Sequence, residues 1–313
     1  MSGAGQAAGK VILLGEHAVV YGAPALAAGI ERGARAEATP LPRGERSRLH
    51  LGDATVTADA ADRSAEGDLA RALAALLAEG HPLPPMAIEA ESELPPGSGL
   101  GSSAAIGVAV ARAALAAAGA AIDDATVVAR ATAWERVFHG NPSGIDTAAS
   151  ALGGCFRFTR QDGVRALAPA RELVLAIGLS GTPASTRAMV EGLARLRARK
   201  PELVDRSIEG ITALVDNAAL AIEAGDLEAL GKLMNLNQMI LAGLMLSTEQ
   251  LEELCALARG AGALGAKLTG KGGGGAVVAL VATAEDAEPV LAAWHGAGYQ
   301  GFSTRVRARI TTS

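Results

Sequence analysis

The chain has 313 residues, about twice the usual single-domain length of roughly 150, so one large or two medium domains are expected. Half of its residues are hydrophobic and its mean hydropathy is +0.26, which excludes disorder as the dominant state. With 28 Lys and Arg against 33 Asp and Glu the net charge is −5, and only 3% of residues are aromatic. That leaves neither the basic footprint nor the stacking surface of a nucleic-acid binder and points to a small-molecule partner.

The first third alternates short strand-like runs with turns: Val11 to Leu14, Ala34 to Ala38, Arg48 to Leu51 and Ala54 to Ala58, separated by Gly, Pro and Asp. The Leu and Ala spacing from Gly67 to Glu79 is that of an amphipathic helix, and MAIEAES alternates as a strand does. A glycine-rich loop, Leu94 to Ser103, then feeds a long Ala-rich helix beginning near Ser102. The low-polarity stretch Ala104 to Ile122 is interrupted by Arg112 and is mostly Ala and Gly, so it reads as a buried helix and not a membrane span. Asp123 and Asp124 suit the cap of a helix reaching His139, and Ser143 suits the cap of another that carries Asp146.

Strand-like CFRFTR and LVLAIGLS follow, Pro183 to Arg259 is almost wholly helical, and the chain returns to strands at Lys267 to Thr269 and Ala276 to Ala282. A helix from Glu285 to Ala297 and a strand from Phe302 to Ile310 close it. The pattern is α+β in two halves with a boundary near Pro169, giving domains over 1–168 and 169–313. The start, MSGAGQAAGK, has no cationic segment ahead of an apolar run, and the two cysteines and five scattered histidines suggest neither a disulfide framework nor a zinc site. A cytoplasmic protein without membrane contact is expected.

Four segments carry chemistry. In the loop Pro95 to Ser103, Gly97, Gly99 and Gly101 allow close backbone approach, and the unpaired N–H groups opening the next helix favour a phosphate. The candidate nucleotide-binding run is therefore Pro96, Gly97, Ser98, Gly99, Leu100, Gly101, Ser102 and Ser103. The GxGxG spacing excludes a dinucleotide fingerprint, and GAKLTGK, Gly265 to Lys271, places Gly272 where a Walker loop needs Ser or Thr. Second, Lys10 precedes a strand and Gly15, Glu16 and His17 follow it, a cation, an acid and an imidazole suited to a small polar anion. Third, Glu135 and Asp146 flank the tight GNPSG connection, so one acid could serve a magnesium ion on phosphates and the other an attacking hydroxyl. Fourth, KLTGKGGGGAVVAL carries Gly272 to Gly275 between two strands, where backbone can approach a substrate closely.

Taken in order, GKVILLGEHAVVYGAPALA, LPPGSGLGSSAA, HGNPSGIDTAAS and KLTGKGGGG resemble the signature segments of the GHMP kinase superfamily, in the branch whose acceptor is mevalonate. The resemblance implies an N-terminal domain like domain 2 of ribosomal protein S5 and a ferredoxin-like C-terminal domain. It implies transfer of the ATP γ-phosphate to the 5-hydroxyl of mevalonate, with magnesium as cofactor and homodimers frequent among relatives. By the same resemblance Asp146 and Lys10 are the catalytic pair, Ser103 (in preference to Ser102) and Glu135 the magnesium ligands, and Glu16, His17, Thr269, Gly272 and Gly273 further substrate contacts. Rivals are another acceptor (phosphomevalonate, homoserine or a sugar) and a noncatalytic ATP-binding protein. One departure is Lys271, where the family commonly reads GAGGGG; an extra cation there could contact phosphate or an acidic substrate, and pointing to solvent is the favoured expectation.

Overall fold

The computed structural model describes residues 2–60, 62, 64–140, 142–183 and 186–306. The first half is a seven-stranded sheet backed by helices. Strands β1 (Gly3–Leu14), β2 (Ala25–Pro40), β3 (Ser47–Leu51), β4 (Ala54–Ala58), β5 (Met86–Ser92), β6 (Cys155–Thr159) and β7 (Gly163–Leu167) form it. Along one path the order is β4-β3-β5-β2-β6-β7, and β1 pairs with β2. Among the named strands of the described residues, only β3 and β5 pair in parallel. The sixteen residues of β2 hold the sheet together, pairing with β1, with β6 through Ala25 to Ala28, and with β5 through Ala34 to Pro40.

Helices α1 (Asp68–Ala78), α2 (Ser102–Ala117), α3 (Asp124–His139) and α4 (Ile145–Leu152) complete this half, with α2 lying on β1 and β2. Helix α2 is buried on nearly every face, Arg112 included, whose guanidinium donates to the carbonyls of Gln6 and Ala151 at 2.6 Å. A buried helix of Ala and Val is the result, and among the described residues no helix is long and apolar enough to cross a membrane. Asp123 caps α3, its carboxylate accepting from the N–H of Thr126. At α4 the cap is Gly144 in a left-handed conformation and not Ser143, whose hydroxyl instead accepts a long bond from the N–H of Ile145.

Strand β1 starts eight residues before the apolar run that marks it in the sequence. Gly3 and Gly5 have no side chain because α2 crosses there: a Cβ on Gly5 would run into the carbonyl of Ala109, and one on Gly3 into that of Ala113. Strand β7 carries no apolar alternation and is mostly exposed, so its pairing with β6 is set by the hairpin alone.

The second half begins with β8 (Val174–Leu179), runs through α5 (Thr186–Arg199), α6 (Pro201–Ala224), α7 (Leu227–Gly243) and α8 (Glu249–Gly260), and ends with β9 (Gly265–Thr269), β10 (Ala276–Val281), α9 (Ala287–Gly296) and β11 (Gln300–Arg305). Its antiparallel sheet has the order β11-β8-β10-β9, with α8 and α9 packed on it, a ferredoxin-like arrangement. The last four residues of the strand expected to reach Ile310 lie outside the described residues. So do Asn141 of GNPSG and Ser185.

Candidate active site

The two halves meet along the end of β1, and a cleft opens beside that seam. Its lining includes Lys10, His17, Gly97, Gly99, Gly101, Ser103, Glu135, Asp146, Gly270 and Lys271. Three separate backbone devices aim these groups. A bulge in β1 between Ala8 and Gly9 precedes Lys10, whose N–H donates to the Leu100 carbonyl at 2.9 Å while its side chain, only 4% exposed, lines the cleft. Gly97, Gly99 and Gly101 all take positive φ, and Gly101 turns the loop into the first residue of α2. A Cβ on Gly101 would stand 3.2 Å from Cγ of Lys10, so the glycine also makes room for the lysine stem.

Lys10 Nζ lies 2.9 Å from Asp146 Oδ1, and Asp146 stands in the first turn of α4, where the helix dipole favours a carboxylate. Glu135 also meets a loop hydroxyl: Ser103 Oγ donates to Glu135 Oε1 at 2.5 Å, whereas the Ser102 hydroxyl faces that of Ser92. Burial pushes Glu135 from an ordinary 4.5 up to about 7; the Ser103 hydrogen bond opposes this, Asp146 adds to it and Lys10 opposes it. His139, one turn along α3, puts Nε2 3.6 Å from Glu135 Oε2, and burial lowers its own pKa. The sequence reading passed over His139, although its i, i+4 spacing from Glu135 puts both on one helix face.

Several expected substrate contacts stand elsewhere. Glu16 is fully buried and turned away from the cleft, paired with Lys267 on β9 and accepting from Asn237 Nδ2 at 3.2 Å. Thr269 is equally buried; its hydroxyl accepts from the N–H of Ile12 at 2.8 Å, tying β9 to β1. Gly272 and Gly273 pack against the α7–α8 connection, with the Gly273 N–H donating to Leu246 at 2.8 Å. The wall that faces the cleft is instead Gly270 and Lys271. In the glycine loop, Leu100 belongs to the core and Pro95 takes the lining position expected of Pro96. GAKLTGK is a buried strand followed by a turn, which removes any resemblance to a phosphate loop.

His17 does face the cleft. It holds a positive φ of 59°, and its Nε2 donates to the Lys271 carbonyl at 2.7 Å, joining the two halves at the mouth of the site. Lys271 is half-buried in the lining and not directed to solvent. Lys267 was missed in the sequence, where its only signal is a lysine inside a fully buried strand. Cys155 and Cys255 are buried, and burial pushes both thiols up to about 12, so neither is a nucleophile.

The model of the GHMP kinases N terminal domain matches residues 68–154, and that of the GHMP kinases C terminal domain matches residues 218–300. The mevalonate kinase of Methanothermobacter thermautotrophicus is 35% identical over 281 residues, covering 89% of this chain and 90% of that protein. That of Pyrococcus horikoshii is 36% identical over 290 residues, covering 87% and 86%. Among solved structures, L. major mevalonate kinase in complex with R-mevalonate superposes with a TM-score of 0.83 at 30% identity, covering 98% of this chain and 96% of that one.

Proposed function

We infer that this chain, which belongs to the GHMP kinase family and within it to the mevalonate kinases, transfers the γ-phosphate of ATP to the 5-hydroxyl of mevalonate. The observation that carries the reading is the Lys10–Asp146 pair at 2.9 Å, lining one cleft together with the glycine loop and the start of α2. Asp146 receives the hydroxyl proton as the hydroxyl oxygen bonds to the γ-phosphorus and the bond from that phosphorus to ADP breaks. Lys10 steadies the developing alkoxide and the phosphoryl oxygens and holds Asp146 in place. The backbone N–H groups of Ser102, Ser103 and Ala104, at the positive end of α2, meet the phosphate chain.

The donor set also suits magnesium. One carboxylate and one hydroxyl converge at Glu135 and Ser103, and among the described residues no group of three or more His, Cys, Asp or Glu could hold an ion unaided. Ser103 and Glu135 would hold the ion together with phosphate oxygens and water, and when bound it neutralises phosphate charge. His17, anchored on Lys271, borders the acceptor side.

The reading is tested by ADP release with ATP and magnesium, offering mevalonate, phosphomevalonate, galactose and homoserine in turn. Turnover with mevalonate alone is the expected result. Asp146→Asn should lower kcat by about 10²- to 10⁴-fold with nucleotide affinity nearly intact, the loss of a positioned base and not of a binding group. Full turnover in that variant would remove Asp146 from the chemistry.

A further inference from the structure

Lys271 is the second lysine of the cleft, and the pairing of Lys10 with Asp146 makes no use of it. Its backbone is fixed on two sides. The carbonyl accepts from His17 at 2.7 Å, and the preceding Gly270 abuts the nucleotide loop so closely that a Cβ there would stand 3.0 Å from the Gly99 carbonyl oxygen. From that fixed point the side chain lines the cleft, half-buried, and among the described residues its ammonium has no carboxylate within 4 Å.

The groups that feel its charge are Lys10, Asp146 and His139. All three line the same cleft as the glycine loop and the start of α2. Burial and repulsion from Lys10 both lower the Lys271 pKa, and Asp146 only partly opposes them. Two ammonium groups sharing one carboxylate leave this part of the cleft with an excess of positive charge, which an anion between them offsets. Because Gly270 abuts Gly99, the Lys271 side chain leaves the backbone beside the glycine loop, on the nucleotide side of the cleft.

We propose that Lys271 contacts the terminal phosphate of the bound nucleoside triphosphate and stays with it during transfer, a further catalytic residue of this chain. The proposal rests on the kinase reading of the cleft, but its test does not require the acceptor. The full chain, with magnesium, is titrated calorimetrically with the imido analogue of ATP and separately with ADP, as wild type, Lys271→Ala and Lys271→Arg. Because one charge-assisted contact reaches the terminal phosphate alone, the alanine variant should bind the imido analogue about tenfold more weakly and ADP within about twofold of wild type. Arginine should restore most of the difference.

In the ADP-release assay, kcat of the alanine variant should fall about tenfold or more with the mevalonate KM unchanged. Equal weakening of both nucleotides, or of neither, overturns the proposal. So does a raised mevalonate KM with nucleotide discrimination intact, which would give the lysine to the acceptor carboxylate. A wild type that discriminates the two nucleotides through Lys271 yet turns over no mevalonate upholds the lysine and overturns the acceptor. The alanine variant keeps the backbone bond to His17, and thermal melting verifies that it is folded.

Discussion

A carboxyl that is to hold a divalent cation must be ionised when the cation arrives, yet Glu135 sits where ionisation is disfavoured. Only 2% of the residue is exposed, and burial raises its pKa to about 7. Neighbouring His139 is shifted by burial toward its neutral form, so it offers little compensating charge near neutrality. In metal-free protein the folded state therefore holds a proton that the unfolded chain, at an ordinary 4.5, has released. The sign follows: the stability this proton contributes is fully present below about 4.5 and is lost as pH rises through about 7. Denaturant melts in EDTA from pH 5 to 8 should show the wild type losing stability relative to Glu135→Gln, which cannot titrate. Parallel curves would mean that Glu135 ionises freely. Glu135→Gln should also raise the magnesium concentration needed for half-maximal turnover.

At the scale of elements, α2 on β1 sets the geometry of the nucleotide loop, because Gly101 caps the helix and packs against the stem of Lys10 on β1. That packing is close enough to require glycine, and Gly5→Val should push the helix off the strand. Overpacking of this kind costs about 1–3 kcal/mol, measurable as a lower urea midpoint at unchanged slope; an unchanged midpoint would show that the helix can slide. The same packing explains what the sequence hides. Helices α1 and α3 and strand β5 follow from periodicity and caps and fall within two residues of expectation, while α2 begins at Ser102 as expected but ends at Ala117, short of Ile122. The first half of β1 is invisible because its small residues answer to a neighbouring helix and not to a strand pattern. In GEH, the local sequence brings Glu16 and His17 to one turn but does not tell which faces the cleft; that depends on Lys267, more than two hundred residues away. The order of Thr269 to Gly273 is likewise legible only as a glycine-rich turn. Which of its members reaches the cleft is decided by contacts with Ile12, Leu246 and Gly99.

Over the whole molecule, the cleft exists because two separately built sheets are joined along β1 and β2. Ile12 and Thr269 exchange hydrogen bonds, His17 reaches Lys271, Ile30 bridges to Val306, and Arg32 stacks on Phe302 at 4.0 Å. Beneath these lies the ion pair of Glu16 and Lys267, each fully buried and each pushed by burial toward its neutral form, with the partner's charge opposing the shift. The Lys267 ammonium also donates to the Leu268 carbonyl at 2.6 Å, and Asn237 covers the other Glu16 oxygen. A buried pair so satisfied adds little net stability over an apolar substitute, but removing one member leaves the other charge without a counterion. Lys267→Met should therefore destabilise the protein by about 3–5 kcal/mol, more than the loss of an ordinary core contact. In Glu16→Gln/Lys267→Met the stranded carboxylate is gone, so the double variant should be more stable than Lys267→Met alone and far from the sum of the two single losses. Additive losses in urea denaturation would mean that the two charges do not answer one another, and that the seam under the cleft is held by its backbone hydrogen bonds alone.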